Sequence, residues 1–177
     1  STSGACRQNA TGARSTGDTQ SQVWYDALHA VARYIGDAHA AQIKQLVDLN
    51  LKGSFFTAQA AARQMIRQQS PGAIVFSSSI AGVSVLPSLA AYGVSKAGLR
   101  QMARCLAVEL GPHRISVNAL GIGPTVNARN LGDDPDYDAH WGAVSPAGRA
   151  ARPDDIARAL VYLVENPYVT GETLMVD

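Results

Sequence analysis

The stretch that most restricts the possible folds runs from Ala73 to Gly111. A short apolar run, Ala73-Ile74-Val75-Phe76, breaks into three serines, Ser77, Ser78 and Ser79. A loop follows, then a segment with apolar residues at helical spacing: Val94, Ala97, Met102, Leu106 and Leu110. A buried strand, a polar strand end, a loop and a long helix make half of a βαβ unit. In sheets built from such units, ligands bind beyond the carboxyl ends of the strands, which is where Ser79 sits.

The remaining pattern extends the same layered α/β fold. Ile115 to Ile122 is nearly all apolar, as a parallel strand buried on both faces should be. Thr173 to Val176 follows a Gly171-Glu172 turn and reads as the last strand. Strands are thus expected near 73–79, 115–122 and 173–177, with helices near 37–69, 91–111 and 153–165 as right-handed crossovers. The first helix, capped by Asp37 and with room for a bend, presents Ile43, Leu46, Leu51, Phe55, Ala58 and Met65, with Asn50 the polar exception. Gly111-Pro112 stops the second. Pro153, Asp154 and Asp155 suit the start of the third, whose buried face is read as Ile156, Leu160, Val161, Leu163 and Val164. Asn127 to Ala151, with Trp141, is a long connection of the kind that forms a lid or is disordered.

Chemistry concentrates at the start of the central helix. Tyr92 and Lys96 stand four apart and share a face. A tyrosine with a pKa of about 10 exchanges protons poorly at neutral pH. A neighbouring lysine cation favours the phenolate. A hydroxyl such as that of Ser79 can hold a carbonyl or alcohol oxygen beside the ring.

Ser79, thirteen residues before Tyr92-Gly93-Val94-Ser95-Lys96, resembles the active site of the short-chain dehydrogenase/reductase family. Asp48-Leu49-Asn50-Leu51-Lys52-Gly53, Ile115-Ser116-Val117-Asn118-Ala119, Arg152-Pro153-Asp154-Asp155-Ile156-Ala157 and Thr170 to Asp177 resemble further family segments, in family order. The resemblance covers roughly 37–177 and leaves 1–36 as an unmatched segment read as partly disordered. It implies a Rossmann-like parallel sheet with helices on both faces, apparently lacking the N-terminal strands. It implies an NAD(P)-dependent oxidoreductase interconverting a carbonyl and an alcohol. Tyr92 would be the general acid/base, Lys96 would lower its pKa and hold the nicotinamide ribose, and Ser79 would orient the oxygen. Asn50 would support Lys96 through water. Gly123 and Thr125 would lie beside the nicotinamide, Asn127 standing where the family usually has Thr, and Leu86 and Pro87 would line the substrate pocket. NAD or NADP is the expected cofactor, with a small carbonyl or alcohol as substrate.

The family's Thr-Gly-x-x-x-Gly-x-Gly loop and Asn-Asn-Ala-Gly segment do not occur in the sequence. Thr11-Gly12-Ala13 lacks both the glycine spacing and a preceding strand. The chain as given could therefore be part of a longer molecule, a rearranged product, or a small protein with its own N-terminal cover. The alternative function is a catalytically inactive fragment that only associates with other subunits.

A net charge of +1 gives no electrostatic case for nucleic acid or an anionic membrane. Two cysteines, Cys6 and a Cys105 expected to be buried, make no disulfide framework, so a cytoplasmic location is expected. The four histidines show no metal-ligand spacing, and no metal is expected. Trp24, Leu28, Val31 and Ile35 suggest a short amphipathic helix. The helices near 37–69 and 91–111 carry apolar residues around more than one face. The resemblance assigns the surplus to a homodimer or homotetramer interface.

Overall fold

The computed structural model describes residues 40–177. The expected segment 1–36, its amphipathic helix and the Asp37 cap lie outside the described residues. Three parallel strands, β1 (Gly72–Ser79), β2 (Ile115–Ile122) and β3 (Thr173–Val176), form a sheet in the order β1-β2-β3. The register pairs Gly72 with Ile115 and Ser79 with Ile122, so the strand ends are flush.

The first helical region is not one continuous helix. α1 (Ala40–Leu46) passes into a π-helical stretch, Val47–Gly53, and then into α2 (Ser54–Gln68). A π stretch widens the turn and commonly marks a functional position; Asn50 lies within it. Asp48 sits between Lys44 and Lys52 on this exposed surface and pairs with both. α2 ends at Gln69 in the left-handed conformation, which turns the chain into β1.

α3 (Ala90–Leu110) packs on β1 and β2. Its buried stripe is Ser95, Leu99, Ala103 and Ala107, one position away from the expected Val94–Leu110 set. Small residues at four-residue spacing let α3 lie close to Phe76, Ile115, Val117 and Ala119 of the sheet and to Ala58 and Ala62 of α2. Val94 is 71% exposed and Val108 80%. Cys105, expected to be buried, is a free exposed thiol, because it falls on this outer face.

The connection 127–151 is ordered into α4 (Ala128–Asp133) and α5 (Tyr137–Gly142), not one structureless stretch. α6 (Pro153–Glu165) packs against all three strands and makes no substantial contact with α3, so it lies on the sheet's other face. Asp155 accepts from the Arg152 backbone N–H at 2.8 Å, which caps the helix as the acidic start predicts. Of its expected buried face only Leu163 is buried; Leu160, Val161 and Val164 are exposed. With α3 and α6 on opposite faces and the strands advancing in one direction, the two crossovers have opposite hands. Both being right-handed, as expected, is therefore corrected for one of them.

Candidate functional site

The site is built where β1 ends and α3 begins. Ser79 closes β1, is 9% exposed, and its hydroxyl accepts from Ala81 N at 3.2 Å, capping the short 3-10 turn Ile80–Gly82. That turn rests on α3 with almost no space between them. A Cβ built on Gly93 would lie 2.7 Å from Ala81 O, and one on Gly82 would lie 2.9 Å from both Ala97 N and Lys96 C. The turn after Ser79 is thus pressed onto the residue following Tyr92 and onto Lys96 itself.

Lys96 is held by the strand end. Its Nζ donates to Ser77 O at 2.8 Å, and its own carbonyl accepts from Ser78 Oγ at 2.8 Å. The ammonium lies 5.5 Å from the centroid of the Tyr92 ring. Partial burial lowers the Lys96 pKa from its ordinary value. One N–H of the ammonium is spent on Ser77, which leaves donors for a ligand oxygen. Ser77 acts here through its backbone carbonyl and Ser78 through its hydroxyl, both on Lys96. The only sequence signal for this was their place at the strand end.

Asn50 does not bond Lys96. Its Nδ2 donates to Ser95 Oγ at 2.9 Å, and Ser95 Oγ donates to Tyr92 O at 2.7 Å. Ser95 is fully buried. Sequence reasoning missed it as a link, although a hydroxyl between Tyr92 and Lys96 on a buried stripe was the available clue.

Gly123 follows Ile122, the partner of Ser79 in the register. Its missing side chain makes room for protein, since a Cβ there would lie 2.5 Å from Asp177 Oδ1 and 2.9 Å from Val176 O. Thr125 Oγ1 donates to Gly123 O at 3.0 Å. Asn127 accepts from Asn130 N at 2.9 Å and so caps α4, while Asn130 Nδ2 holds Thr125 O at 2.8 Å. The expected group thus divides in two. Ser79, Tyr92 and Lys96 gather across β1 and α3, while Gly123 and Thr125 sit at the end of the neighbouring strand.

Trp141 of α5 lines a cavity of about 110 Å³ with Ile80, Pro124, Pro146 and Ala150. Leu86 and Pro87 do not line it. Tyr137 packs against Trp141 at 6.1 Å between ring centroids. The Arg152 ion pair to Asp138 at 2.7 Å ties α5 to the start of α6. His140 Nδ1 lies 2.8 Å from Asp134 Oδ2 and links α5 to the preceding loop.

The spare donors of Lys96 and the hydroxyls of Ser79 and Tyr92 suit the nicotinamide-ribose end of a dinucleotide and a substrate oxygen. Among the described residues no glycine-rich turn offers successive backbone N–H groups to a pyrophosphate.

Comparison with known proteins agrees with the parallel-sheet fold. The family described as enoyl-(acyl carrier protein) reductase matches residues 27–177. D-erythrulose reductase of Gallus gallus is 36% identical over 141 residues, covering 76% of this chain and 56% of its own length. L-rhamnose 1-dehydrogenase (NAD(P)(+)) of Azotobacter vinelandii is 38% identical over 135 residues, covering 74% and 53%. A gluconate 5-dehydrogenase from Burkholderia cenocepacia, solved in complex with NADP and tartrate, superimposes with a TM-score of 0.74 at 28% identity, covering 81% of this chain and 57% of that one. The chain spans about half the length of the curated relatives it matches.

Proposed function

The chain belongs to the short-chain dehydrogenase/reductase family, and on that premise we propose that it forms the catalytic part of an NAD(P)-dependent oxidoreductase interconverting a small carbonyl and its alcohol. The observation that supports this best is the fixed Lys96 ammonium, 5.5 Å from the Tyr92 ring and bonded to the strand that ends in Ser79. When bound, the nicotinamide supplies or accepts the hydride. Ser79 Oγ orients the substrate oxygen. Tyr92 Oη gives that oxygen its proton during reduction and takes it back during oxidation. Lys96, its ammonium facing the Tyr92 ring, holds ribose hydroxyls with the donors that Ser77 leaves over. Asn50 acts through Ser95 on the Tyr92 carbonyl and positions the first turn of α3. Gly123 and Thr125 stand beside the nicotinamide.

The test is oxidation of NADPH and NADH with a panel of ketones and hydroxyketones. General acid–base catalysis contributes about 10²–10⁴-fold, so Tyr92→Phe should lose at least about a hundredfold in kcat. Activity that survives this change refutes the assignment.

We also propose a homodimer or homotetramer built through α2 and α3. Phe56 is 55% exposed and Val108 80%, and Phe55, Ile66, Leu106 and Leu110 frame a cavity of about 140 Å³ between the two helices. The same surface favours a second reading, an inactive piece that only associates with other subunits. Calorimetric titration with both cofactors separates the two, since absence of binding at millimolar concentration favours the second. The free thiol of Cys105 suits a reducing compartment, and we place the protein in the cytoplasm.

A further inference from the structure

Arg100 stands on α3 four residues after Lys96 and eight after Tyr92, on the same side of the helix. Its guanidinium Nη1 donates to Gly82 O at 2.8 Å, and its Nε donates to Thr173 Oγ1 at 3.3 Å. Gly82 ends the 3-10 turn that Ser79 caps, and Thr173 opens β3. One planar, half-buried group therefore joins α3, the Ser79 turn and the far strand of the sheet.

The other contacts between turn and helix have no direction. Gly82 against Lys96 and Ala97, and Gly93 against Ala81, are backbone surfaces in close touch. Such packing sets how near the turn can come, yet it does not stop the turn from sliding along the helix. Ser77 and Ser78 anchor the strand before the turn, not the turn itself. Among the described residues the Arg100 bond to Gly82 is the only side-chain hydrogen bond from α3 to the Ile80–Gly82 turn.

We propose that Arg100 is a positioning residue that clamps this turn between α3 and β3 and so holds the Ser79 hydroxyl in register with Tyr92. The proposal rests on the oxidoreductase reading for its catalytic meaning. Lysine would keep the charge but could not place two donors in one rigid plane. The clamp thus predicts that charge alone does not suffice.

Arg100→Lys and Arg100→Met are compared with the wild-type chain by two readouts. The first is amide exchange at Val83 and Ser84, which both donate to Ile80 O, at 2.9 and 2.8 Å, and report opening of the turn without any substrate. The second is steady-state reduction of a ketone with NADPH across pH. Displacing a catalytic group by about 1 Å can cost about a hundredfold, and a loosened turn samples such positions part of the time, so kcat should fall about tenfold in both variants. Exchange at Val83 and Ser84 should quicken locally, while cofactor KM and the position of the pH profile stay put. Wild-type exchange in both variants overturns the proposal, as does full rescue by Arg100→Lys or acceleration spread evenly over all amides. A wild type that reduces no ketone, with local acceleration in the variants, refutes the oxidoreductase reading while upholding the clamp.

Discussion

A methyl group added at Gly82 is driven into the backbone of the helix bearing Tyr92 and Lys96. Its nearest neighbours would be Ala97 N and Lys96 C at 2.9 Å and Lys96 O at 3.1 Å. None is the flexible end of a side chain, so either the turn or the helix must move. Overpacking of this kind costs about 1–3 kcal/mol. Gly82 is not in the left-handed region, so alanine also recovers about 0.4–1 kcal/mol by restricting the unfolded chain. The net expectation for Gly82→Ala is a loss of up to about 2.6 kcal/mol. Gly111 is the control. It has helical dihedrals, φ −53° and ψ −44°, and nothing within 4 Å of an added Cβ. Gly111→Ala should therefore stabilise by about 0.4–1 kcal/mol, the same chemical change with the opposite sign. Urea unfolding of the three proteins at one concentration decides, with midpoints moving in opposite directions at constant m-value. Equal midpoints for the two variants, or a Gly82→Ala protein more stable than wild type, would refute the close-packed turn.

The remaining expectations concern charge and assembly. Hydrogen bonds from Arg149 and the Arg152 backbone lower Asp155 to about 2, so its contribution is fully present above the unfolded value of 3.8 and is lost as pH falls toward about 2; NMR titration should find it near 2, rising toward 3.8 in Arg149→Ala. The Asp134 hydrogen bond raises the pKa of His140, so its contribution is present below 6.5 and is lost as pH rises through the folded value. In Asp134→Asn that titration should return toward 6.5, and an unchanged midpoint counts against the pair. Sedimentation at micromolar concentration should give at least a dimer, and Val108→Glu on the exposed face of α3 should shift it toward monomer; a monomer in both cases rules out this interface.

The strands were legible because β2 is buried on both faces and its sequence is accordingly apolar almost throughout. The order of elements followed from apolar spacing, while Ser79, Tyr92 and Lys96 were singled out by their spacing together with the family resemblance. The buried stripe of α3 was not readable in the same way. Apolarity does not distinguish a side chain that meets the sheet from one that faces outward, and here alanines meet the sheet while Val94 and Val108 face outward. Close approach of α3 to the sheet selects small residues, so the largest apolar residues mislead. Cys105 failed for the same reason. The π stretch over Val47–Gly53 depends on a change in backbone hydrogen bonding that has no fixed side-chain pattern. The exposure of Leu160, Val161 and Val164 on α6 was likewise invisible, because an apolar helical face reads the same whether or not it is covered.

The Asn50 side chain bears on how this part of the site keeps its shape. Bonded to Ser95, it braces the backbone turn between Tyr92 and Lys96. That turn is gripped twice by neutral hydroxyls, Ser95 on the Tyr92 carbonyl and Ser78 on the Lys96 carbonyl, and both serines are buried. Hydrogen bonds between neutral groups in a dry setting are little affected by salt. The segment that carries Trp141 is tied differently, through the exposed pairs Arg152–Asp138, Arg149–Asp155 and His140–Asp134. Exposed pairs are individually weak and are screened by ions. The chain therefore separates two mechanical demands. The backbone turn between Tyr92 and Lys96 rests on buried neutral bonds, and the segment that carries Trp141 rests on bonds that solvent conditions can loosen.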